Sequence, residues 1–317
     1  MALGVSKNAS SPLLSVVVPV YGCVDSLPEL VQRVVSAVVE ADWVAEVVLV
    51  DDCSPDNSWS TIESLASSRS EVVGVRLSRN FGQHAAITAG LATCKGQKVV
   101  VMDCDLQDPP ELIPEMLGLA VEYDVVLGRR QGNYQSRPRL LLAKSYNRLV
   151  SIMSGTQFDP AIGTFSLIDR KVVDAFLTLG EQDRHFSFAI LWLGFKQTTI
   201  DFQRQSRSVG ASSYTLRRRL GQAVQGIMFQ NTKFLGLVVS AGFTTAALGG
   251  ALGIYTIVRR ITASTLPGWT STVALLLFIF GTIVTLQGVI GLYIGRIFQE
   301  VKGRPLYIID HVRRAPR

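Results

Sequence analysis

Short apolar runs alternate with helical patterns along the first two thirds of the chain. Runs of roughly four to eight apolar residues predict buried strands, and apolar positions that recur every three or four residues predict helices that pack on a sheet. The predicted strands cover 15–20, 45–50, 72–77, 98–102 and 123–127, and the helices cover 27–39 and 83–93, with a further helix capped by Asp56 or Ser58. Strands separated by helices pair in parallel through crossovers. The predicted fold class is therefore α/β, with a mostly parallel sheet and helices on both faces.

Two long apolar stretches occupy the last third of the chain. Residues 234–258 and 273–295 contain no Asp, Glu, Lys or Arg, and a helix that spans a bilayer needs about 20 apolar residues. Two buried helices of a large soluble domain are the alternative, but globular helices rarely run so far without a charge, whereas a charge inside a bilayer is costly. We therefore predict a two-helix transmembrane hairpin over 233–296.

Basic residues mark the outer ends of this hairpin. Three arginines at 217–219 and Lys233 precede it, and Arg296 and a basic tail follow it, whereas two arginines at 259–260 lie between the spans. The positive-inside rule then places both termini in the cytoplasm and makes the chain a multi-pass protein of the inner (cytoplasmic) membrane. The predicted boundaries are 1–212 for the cytoplasmic α/β domain, 213–232 for an amphipathic juxtamembrane helix, 233–296 for the hairpin and 297–317 for a cytoplasmic basic tail.

Charge and cysteine content narrow the function classes. The formal net charge is +6, and basic residues concentrate beside the apolar stretches, so we expect attraction to anionic lipid and phosphate rather than to nucleic acid. The four cysteines, at positions 23, 53, 94 and 104, show no C-x-x-C spacing. Their spacing favours reduced thiols in the cytosol, packed as small hydrophobic residues, over a zinc site.

An acidic loop follows the predicted strand at 98–102. In an extended backbone alternate side chains share a face, so Asp103, Asp105 and Gln107 can point the same way. Three oxygen donors at one spot suit a hard divalent cation, Mg²⁺ or Mn²⁺. Asp108 is predicted instead to cap a helix that starts with a proline pair, with Glu111 as its capping-box partner. The alternative is an acidic loop that only improves solubility.

A second acidic pair, Asp51 and Asp52, stands at the end of the strand at 45–50. The carboxyl ends of parallel strands share one edge of a sheet, and ligands of open α/β sheets bind at that edge. Two acidic strand ends on one edge predict a site for a nucleotide and a metal. The chain has neither G-x-G-x-x-G after its first strand nor a Walker A lysine loop, which argues against a Rossmann dehydrogenase or a P-loop NTPase.

Four motifs carry a resemblance to a known family. They are Pro19-Val20-Tyr21, Asp51-Asp52-Cys53-Ser54, Arg79-Asn80-Phe81-Gly82 and Asp103-Cys104-Asp105-Leu106-Gln107-Asp108-Pro109-Pro110-Glu111. In order and spacing they resemble glycosyltransferase family 2, in particular the GT-A enzymes that load polyprenyl phosphate with one sugar, such as bactoprenol glucosyltransferases and dolichyl-phosphate mannose synthases. The resemblance spans nearly the whole chain, including the hairpin. It implies a GT-A nucleotide-sugar-binding domain followed by a membrane anchor.

The resemblance implies roles for the residues at the sheet edge. The metal, Mg²⁺ or Mn²⁺, would be bound by Asp103, Asp105 and Gln107, with Asp105 as the direct catalytic ligand. The residues implied to bind the nucleotide sugar are Pro19, Tyr21, Asp51, Asp52 and Asp103. For Tyr21 the alternative is simple packing at a strand end, and for residues 79–81 it is a turn that caps the next helix.

Basic residues further along the chain resemble the acceptor region of the family. Residues 204–214 match the pattern R-x-x-R-x-x-G-x-S-x-Y, and guanidinium groups suit phosphate oxygens. The resemblance therefore implies catalytic roles for Arg204 and Arg207. The residues implied to bind the acceptor phosphate are Arg130, Arg139, Ser145, Arg204 and Ser212. A solvated helix face is the alternative for Arg139.

One stretch departs from the family pattern. Bactoprenol-type relatives carry D-x-G-x-F-R-L where this chain has Ala-Ile-Gly-Thr-Phe-Ser-Leu at 161–167, so Ala161 replaces the acid and Ser166 replaces the arginine. Asp159, two residues upstream of Ala161, is the candidate catalytic substitute for the acid. The alternatives are a turn or N-cap role for Asp159 before Pro160 and a different donor sugar.

These features predict an inverting glycosyltransferase that moves one sugar from a nucleotide sugar, UDP-hexose, to undecaprenyl phosphate at the cytoplasmic membrane face. The acceptor phosphate is already an anion, so it needs positioning rather than a strong general base. A GDP-mannose-dependent enzyme of the dolichyl-phosphate mannose synthase type and a non-catalytic nucleotide-binding membrane scaffold are the alternatives. A processive polysaccharide synthase is disfavoured, since the chain has two predicted spans and no Q-x-x-R-W motif. The resemblance also implies a homo-oligomer.

Overall fold

The computed structural model describes most of the α/β domain and the long apolar helix near the end of the chain. The described residues are 13–131, 159, 161–181, 184–203, 240, 242, 244, 251, 254, 255, 258 and 269–315. The chain divides into two compact units, one made of 1–134, 159–211 and 304–317 and the other made of 135–158 and 212–303.

The described strands of the first unit form one mixed sheet. They are Leu13–Val20 (β1), Val44–Asp51 (β2), Val72–Leu77 (β3), Lys98–Val101 (β4), Val125–Gln131 (β5), Ile162–Asp169 (β6), Gln197–Gln203 (β7) and Ile309–Arg314 (β8). Their order across the sheet is β7-β5-β6-β4-β1-β2-β3-β8. The centre is parallel, from β4 through β1 and β2 to β3, and β5 is parallel to β7. In contrast, β6 lies antiparallel between β4 and β5, and β8 lies antiparallel on β3.

Helices cover both faces of the sheet. They are Leu27–Glu40 (α1), Ser58–Ser68 (α2), Gln83–Thr93 (α3), Ile113–Leu119 (α4), Arg170–Thr178 (α5) and Phe186–Trp192 (α6), with a 3-10 turn at Pro110–Leu112 before α4. Successive side chains of a strand point to opposite faces, so Val16 enters the core beneath α1, α2 and α4, and Val17 enters the core beneath α3, α5 and α6. This is the predicted three-layer α/β architecture, and it has the form of a GT-A domain.

Helix α3 packs close against β1. A Cβ atom at Gly90 would lie 2.3 Å from Cγ1 of Val17 and 3.1 Å from Cγ2 of Val50. Glycine therefore permits an approach that any larger residue would prevent. The close approach fixes α3 on the central strands, and Gln83 is the first residue of that helix.

The hydrophobic pattern predicts the first half of the sheet well. The predicted bounds of β3 and α3 are the observed ones, and β1, β2 and α1 extend one or two residues beyond their predicted ends. The pattern does not predict β6, β7 or β8, which join the sheet through partners far away in the sequence. Strand β7 has the sequence Gln-Thr-Thr-Ile-Asp-Phe-Gln, in which buried residues are few.

The end of the chain corrects the prediction of a basic tail over 297–317. Ile309–Arg314 instead forms β8, with Val312 opposite Val75 and His311 opposite Arg76. The pairing begins just before the strand, where the backbone N–H of Ser78 donates to the carbonyl of Ile308 at 2.9 Å. All six residues of β8 are exposed. The strand is held by backbone hydrogen bonds, which leave no trace in a hydrophobic pattern.

The second unit contains a helix of 33 residues, Trp269–Val301 (α7). At 1.5 Å per residue it is about 50 Å long. Among the described residues it is the one helix long and apolar enough to cross a membrane, and no residue of its window Phe278–Gly295 is buried. Scattered positions in the first predicted span are helical, and a Cβ atom at Gly242 would lie 3.5 Å from Cδ1 of Leu286. The juxtamembrane segment 213–232 and most of 234–258 lie outside the described residues.

Candidate active site at the carboxyl edge of the sheet

The acidic residues predicted from the sequence lie at the carboxyl ends of neighbouring strands. Asp51 ends β2, Asp52 follows it, and Asp103 lies just beyond β4, with β1 between these two strands in the sheet. Tyr21 follows β1. The parallel strands therefore bring these residues to one edge, as predicted, and this is the edge where α/β sheets bind ligands.

Asp103 is contacted by side chains from three different elements. Its Oδ1 atom accepts hydrogen bonds from Nε2 of Gln83, at the start of α3, at 2.7 Å and from Oγ1 of Thr164, on β6, at 2.9 Å. Its Oδ2 atom lies 3.8 Å from Nη2 of Arg130 on β5. Sequence reasoning misses Gln83 and Thr164 as site residues. Thr164 reaches Asp103 only because the folded sheet brings β6 beside β4, and Gln83 reaches it from the start of α3. Their one local signal is that Gln83 directly follows the motif at 79–82.

Asp105 and Gln107 lie in a tight turn two residues further on. Oδ1 of Asp105 accepts a hydrogen bond from the backbone N–H of Gln107 at 3.2 Å, so the aspartate side chain closes an Asx turn. Between them Leu106 has a φ of 59°, a conformation that residues with a side chain rarely adopt. A second positive φ, 54° at Cys53, occurs in the other acidic loop. Backbone strain of this kind is typical of functional loops.

Asp108 belongs to the acidic cluster. Its side chain is fully buried, and its Oδ2 atom accepts a hydrogen bond from the backbone N–H of Asp103 at 3.3 Å. Its Oδ1 atom lies 3.6 Å from Nη2 of Arg130. Burial, reinforced by the negative charge of Asp103, raises the pKa of Asp108 to about 7. Ionisation of the Asp108 carboxyl therefore costs free energy unless a cation lies nearby.

The capping-box prediction for Asp108 and Glu111 is wrong. Pro109 occupies the N-cap of the 3-10 turn, without a capping hydrogen bond from any side chain. Glu111 instead pairs with Arg33 of α1 at 2.7 and 2.9 Å, and this partner lowers the pKa of Glu111. An acid before a proline pair looks the same in the sequence whether its side chain turns toward the helix or into the sheet.

The oxygen donors of this loop fit a hard divalent cation. Asp103, Asp105 and Gln107 supply two carboxylates and an amide, the ligand types that Mg²⁺ and Mn²⁺ prefer. Oδ1 of Asp108 is buried and accepts no hydrogen bond from the residues described. Among the residues that the structure describes, no group of three or more His, Cys, Asp or Glu side chains is arranged to hold a metal ion. Ligation by these three residues stays a prediction.

Arg130 lies against the acids. The predicted acceptor-phosphate role would require its guanidinium to face the site, and Nη2 lies within 4 Å of the carboxylates of both Asp103 and Asp108. A Cβ atom at Gly163 would lie 2.7 Å from Nη2 and 2.9 Å from Cζ of Arg130. The guanidinium therefore occupies the space that a side chain at 163 would need. The binding of a phosphate by Arg130 stays a prediction.

The predicted nucleotide-binding residues differ in accessibility. Pro19 and Asp51 are buried. Oδ1 of Asp51 accepts a hydrogen bond from the backbone N–H of Ser54 at 3.0 Å, and its Oδ2 lies 3.6 Å from Nε of Arg76. The side chain of Tyr21 is 53% exposed. Direct contact with a ligand is therefore expected from Tyr21 first.

Asp52 holds a turn of the protein itself. Its two carboxylate oxygens accept hydrogen bonds from the backbone N–H groups of Phe81 and Gly82, at 2.7 and 2.8 Å. Burial raises its pKa, and these two hydrogen bonds work in the opposite direction. Asp52 thus fixes the motif at 79–82 on the sheet edge, where Gly82 has a φ of 98°. Its predicted contact with the nucleotide stays a prediction.

Two of the four cysteines are joined, contrary to the prediction of reduced thiols. Cys23, in the loop after β1, forms a disulfide with Cys104, in the acidic loop, across a sequence separation of 81 residues. The same loops are joined by Ser26, whose Oγ donates to the carbonyl of Cys104 at 2.7 Å. Cys53 and Cys94 are free thiols. Spacing along the chain could not reveal this pair, because the parallel sheet brings distant strand ends together.

Asp159 forms the turn that enters β6. Its Oδ1 accepts a hydrogen bond from the backbone N–H of Ala161 at 2.9 Å, and its carbonyl accepts one from Ile162 at 3.0 Å. This is the turn role expected as the alternative, and the catalytic role of Asp159 stays a prediction. Ser166, where the family has arginine, is fully buried and donates from Oγ to the carbonyl of Thr164 at 3.1 Å.

Five predicted site residues lie outside the described part of the chain. They are Arg139, Ser145, Arg204, Arg207 and Ser212. Their predicted roles in catalysis and in binding the acceptor phosphate therefore stay predictions.

A pair of histidines with closely packed, mutually tilted rings lies beside the site. The ring centroids of His84, which follows Gln83 on α3, and His185, which precedes α6, are 4.0 Å apart. Nδ1 of His84 accepts a hydrogen bond from the backbone N–H of Phe186 at 3.4 Å. Burial lowers the pKa of His84 to about 3 and also lowers that of His185. Both rings are therefore neutral at pH 7 and join α3 to α6.

Acid is expected to destabilise the domain through His84. The unfolded chain takes up the proton near the ordinary pKa of 6.5, whereas folded His84 resists it down to about 3, so the free energy of unfolding falls as the pH drops below 6.5. We expect the wild type to lose roughly 2 kcal/mol more than His84→Asn between pH 7 and 4.5. Thermal unfolding at the two pH values measures this, with the exposed His311→Asn as control. Equal losses in wild type and His84→Asn would contradict it.

Comparison with known proteins gives a consistent match. The family model described as "Glycosyl transferase family 2" matches residues 15–177. An uncharacterized glycosyltransferase of Bacillus subtilis is 35% identical over 93% of this chain and 93% of its own length. A protein of Klebsiella pneumoniae named undecaprenyl-phosphate 4-deoxy-4-formamido-L-arabinose transferase is 33% identical over 96% of this chain and 94% of its own length. Among solved structures, mannosyl-3-phosphoglycerate synthase from Rubrobacter xylanophilus matches with 19% identity and a TM-score of 0.48, over 71% of this chain and 74% of that one.

Proposed function

Because the chain belongs to glycosyltransferase family 2, we propose that it is a membrane-anchored enzyme that transfers one sugar from a nucleotide sugar to undecaprenyl phosphate. One observation carries the proposal. The acidic loop 103–108 lies at the carboxyl edge of the sheet beside β1 and β2, in a chain that matches a named undecaprenyl-phosphate transferase over 96% of its length. The proposed donor is a UDP-hexose.

Different residues at the sheet edge would have different roles in binding the donor. Asp103, Asp105 and Gln107 would hold Mg²⁺ or Mn²⁺, which when bound neutralises charge on the departing diphosphate. Tyr21 is exposed beside them and would contact the nucleotide. Asp52 keeps the turn at 79–82 in place through its two backbone hydrogen bonds. A site organised before the substrate arrives lowers the cost of reaching the transition state.

The acceptor supplies its own nucleophile. A polyprenyl phosphate is anionic near neutral pH, so the protein needs to align a phosphate oxygen with the anomeric carbon and needs no strong general base. Arg130 lies within 4 Å of the carboxylates of Asp103 and Asp108 and suits this alignment. Arg139, Ser145, Arg204, Arg207 and Ser212 complete the proposed phosphate region. Displacement from the side opposite the diphosphate would invert the anomeric centre.

The sheet supports a membrane hairpin through its connectivity. Strand β7 ends at Gln203 and β8 begins at Ile309, and both belong to the same sheet. A chain that leaves a domain and returns to it crosses a bilayer an even number of times. If α7 crosses once, a second crossing must lie within 204–268, where the uncharged stretch 234–258 has the necessary length. We therefore propose that both termini and the α/β domain lie on the cytoplasmic face.

This topology places residues 259–268 on the outer face of the membrane. We expect a cysteine introduced by Ser264→Cys to react with a membrane-impermeant maleimide on intact cells, because the short connection between spans is exposed there. The measurement is labelling before and after lysis, with Ser11→Cys as the cytoplasmic control. Labelling of Ser264→Cys only after lysis would contradict the hairpin.

The test of the activity is direct. Purified full-length protein is offered radiolabelled UDP-sugars and GDP-sugars with undecaprenyl phosphate and either Mg²⁺ or Mn²⁺, followed by extraction of the lipid. We expect label in the lipid fraction with one UDP-hexose and a requirement for the metal. Transfer from GDP-mannose alone would reject the UDP-hexose donor. Nucleotide binding without turnover of any donor would identify a non-catalytic scaffold, the alternative suggested by Ala161 and Ser166.

A further inference from the structure

Two adjacent residues of β6 each contact a different charged group of the site. Thr164 donates from Oγ1 to Oδ1 of Asp103 at 2.9 Å. A Cβ atom at Gly163 would lie 2.7 Å from Nη2 of Arg130. Both residues come from a strand that is antiparallel to β4 and β5; Asp103 lies in the loop just after β4, and Arg130 lies on β5. Two adjacent residues of one strand thus lie against the carboxylate of Asp103 and the guanidinium of Arg130.

The contact of Thr164 restricts the direction of Asp103. Oδ1 of Asp103 accepts from both Thr164 and Gln83, and two donors on one oxygen fill the two lone-pair positions of that atom. Thr164 is itself buried, with a relative exposure of 8%, and a β-branched side chain has few χ1 conformations. The hydroxyl is therefore a fixed donor, and the carboxylate of Asp103 cannot rotate without breaking a charge-assisted hydrogen bond.

The guanidinium of Arg130 occupies space that is open because Gly163 has no side chain. The added Cβ would also lie 2.9 Å from Cζ and 3.4 Å from Nε of Arg130, so even alanine would push the guanidinium away. Gly163 is held in turn by Ser187, whose Oγ donates to its carbonyl at 2.9 Å. The position of Arg130 next to the acids therefore depends on a glycine in the neighbouring strand.

We propose that Gly163 and Thr164 are positioning residues that set Arg130 and Asp103 in the geometry used for sugar transfer. The inference rests on the proposed function, and it gives the stretch 161–167 a role that does not need the acid missing at Ala161. Thr164 acts through Asp103 on the metal, and Gly163 acts through Arg130 on the phosphate groups. The two departures from the family pattern, Ala161 and Ser166, lie on either side of this pair and leave both contacts intact.

The Thr164 half is tested by metal affinity, without turnover. Mn²⁺ is titrated calorimetrically into full-length protein in the presence of UDP. Thr164→Val keeps the shape and removes the donor, and we expect it to weaken Mn²⁺ binding roughly 10-fold, as loss of a group that orients a metal ligand does. Thr164→Ser restores a hydroxyl and should stay within about twofold of the wild type. Thr178→Val, which removes a hydroxyl from α5, is the matched control.

The Gly163 half is tested by a double-mutant comparison. Gly163→Ala should lower the melting temperature because displacing the guanidinium leaves the buried carboxyl of Asp108 without its nearby cation. The loss should largely disappear in an Arg130→Ala background, where that cation is already absent. Gly180→Ala, where an added Cβ meets nothing within 4 Å, is the control. An equal drop in both backgrounds would show that Gly163 does not act through Arg130.

The outcomes separate this inference from the proposed function. If no donor supports turnover but Thr164→Val still weakens Mn²⁺ binding about 10-fold, the proposed function fails and the positioning role stands. An active wild type with unchanged Mn²⁺ affinity in Thr164→Val overturns the positioning role alone. Absence of Mn²⁺ binding by the wild-type protein overturns it as well.

Discussion

Replacing Asp105 with asparagine is expected to lower the rate of sugar transfer roughly 100- to 1000-fold, because a bound metal contributes several kcal/mol to the departure of a diphosphate. Asparagine has nearly the same shape, and its amide oxygen can still accept the hydrogen bond that the backbone N–H of Gln107 donates at 3.2 Å. The turn should therefore persist while one negative ligand is lost. Turnover at saturating donor and Mn²⁺ measures the effect, and thermal unfolding checks the fold.

A matched control for this variant is Asp174→Asn. Asp174 lies on α5 with a side chain 64% exposed, and its pairing with Arg170 is long, at 3.9 Å. Exposed pairs of this kind contribute little, so turnover should stay close to the wild-type rate. Wild-type turnover in Asp105→Asn, with the same response to Mn²⁺, would show that Asp105 is not the metal ligand.

Deleting residues 309–317 is expected to destabilise the α/β domain by roughly 2 to 4 kcal/mol, since several backbone hydrogen bonds of about 1 kcal/mol each are lost together. The deletion removes β8 and leaves the edge of β3 unpaired along Val73–Leu77. An open, apolar edge strand favours pairing between molecules. We therefore expect a lower melting temperature and soluble aggregates, measured by thermal unfolding and size-exclusion chromatography in detergent.

Deleting only residues 315–317 provides the control, because it removes charge and leaves β8 whole. A second variant, Val312→Pro, keeps the length of the chain and disturbs the strand through the fixed φ and missing N–H of proline. It should reproduce part of the loss. If the 309–317 deletion melts at the same temperature as the 315–317 deletion, β8 contributes nothing to the stability of the sheet.

The parts of this fold that could be predicted are those that short stretches of sequence encode. In the run 72–77 every residue except Arg76 is buried, as expected of a strand covered on both faces, so its pattern is enough to identify β3. The convergence of Asp51 and Asp103 follows from the same rule, because parallel strands expose their carboxyl ends on one edge.

The remaining parts depend on which strands become neighbours. Strand β6 inserts between β4 and β5, and this insertion brings Thr164 to Asp103. Local sequence does not contain that order. The same limit explains Asp108, whose side chain turns into the sheet toward Arg130, and Asp52, whose partners lie in the turn at 79–82. The types of residue needed by the site were visible in the sequence, but their partners were not.

The position of β8 also bears on how the protein is made. A ribosome synthesises β1 to β7 first, then the hydrophobic segment, and the strand that completes the sheet last. Domains tend to fold during synthesis from the N-terminus onward, so the nascent domain has one open sheet edge until β8 has been synthesised. A chain that stops before Ile309 therefore leaves the ribosome without its closing strand, and its α/β domain remains incomplete.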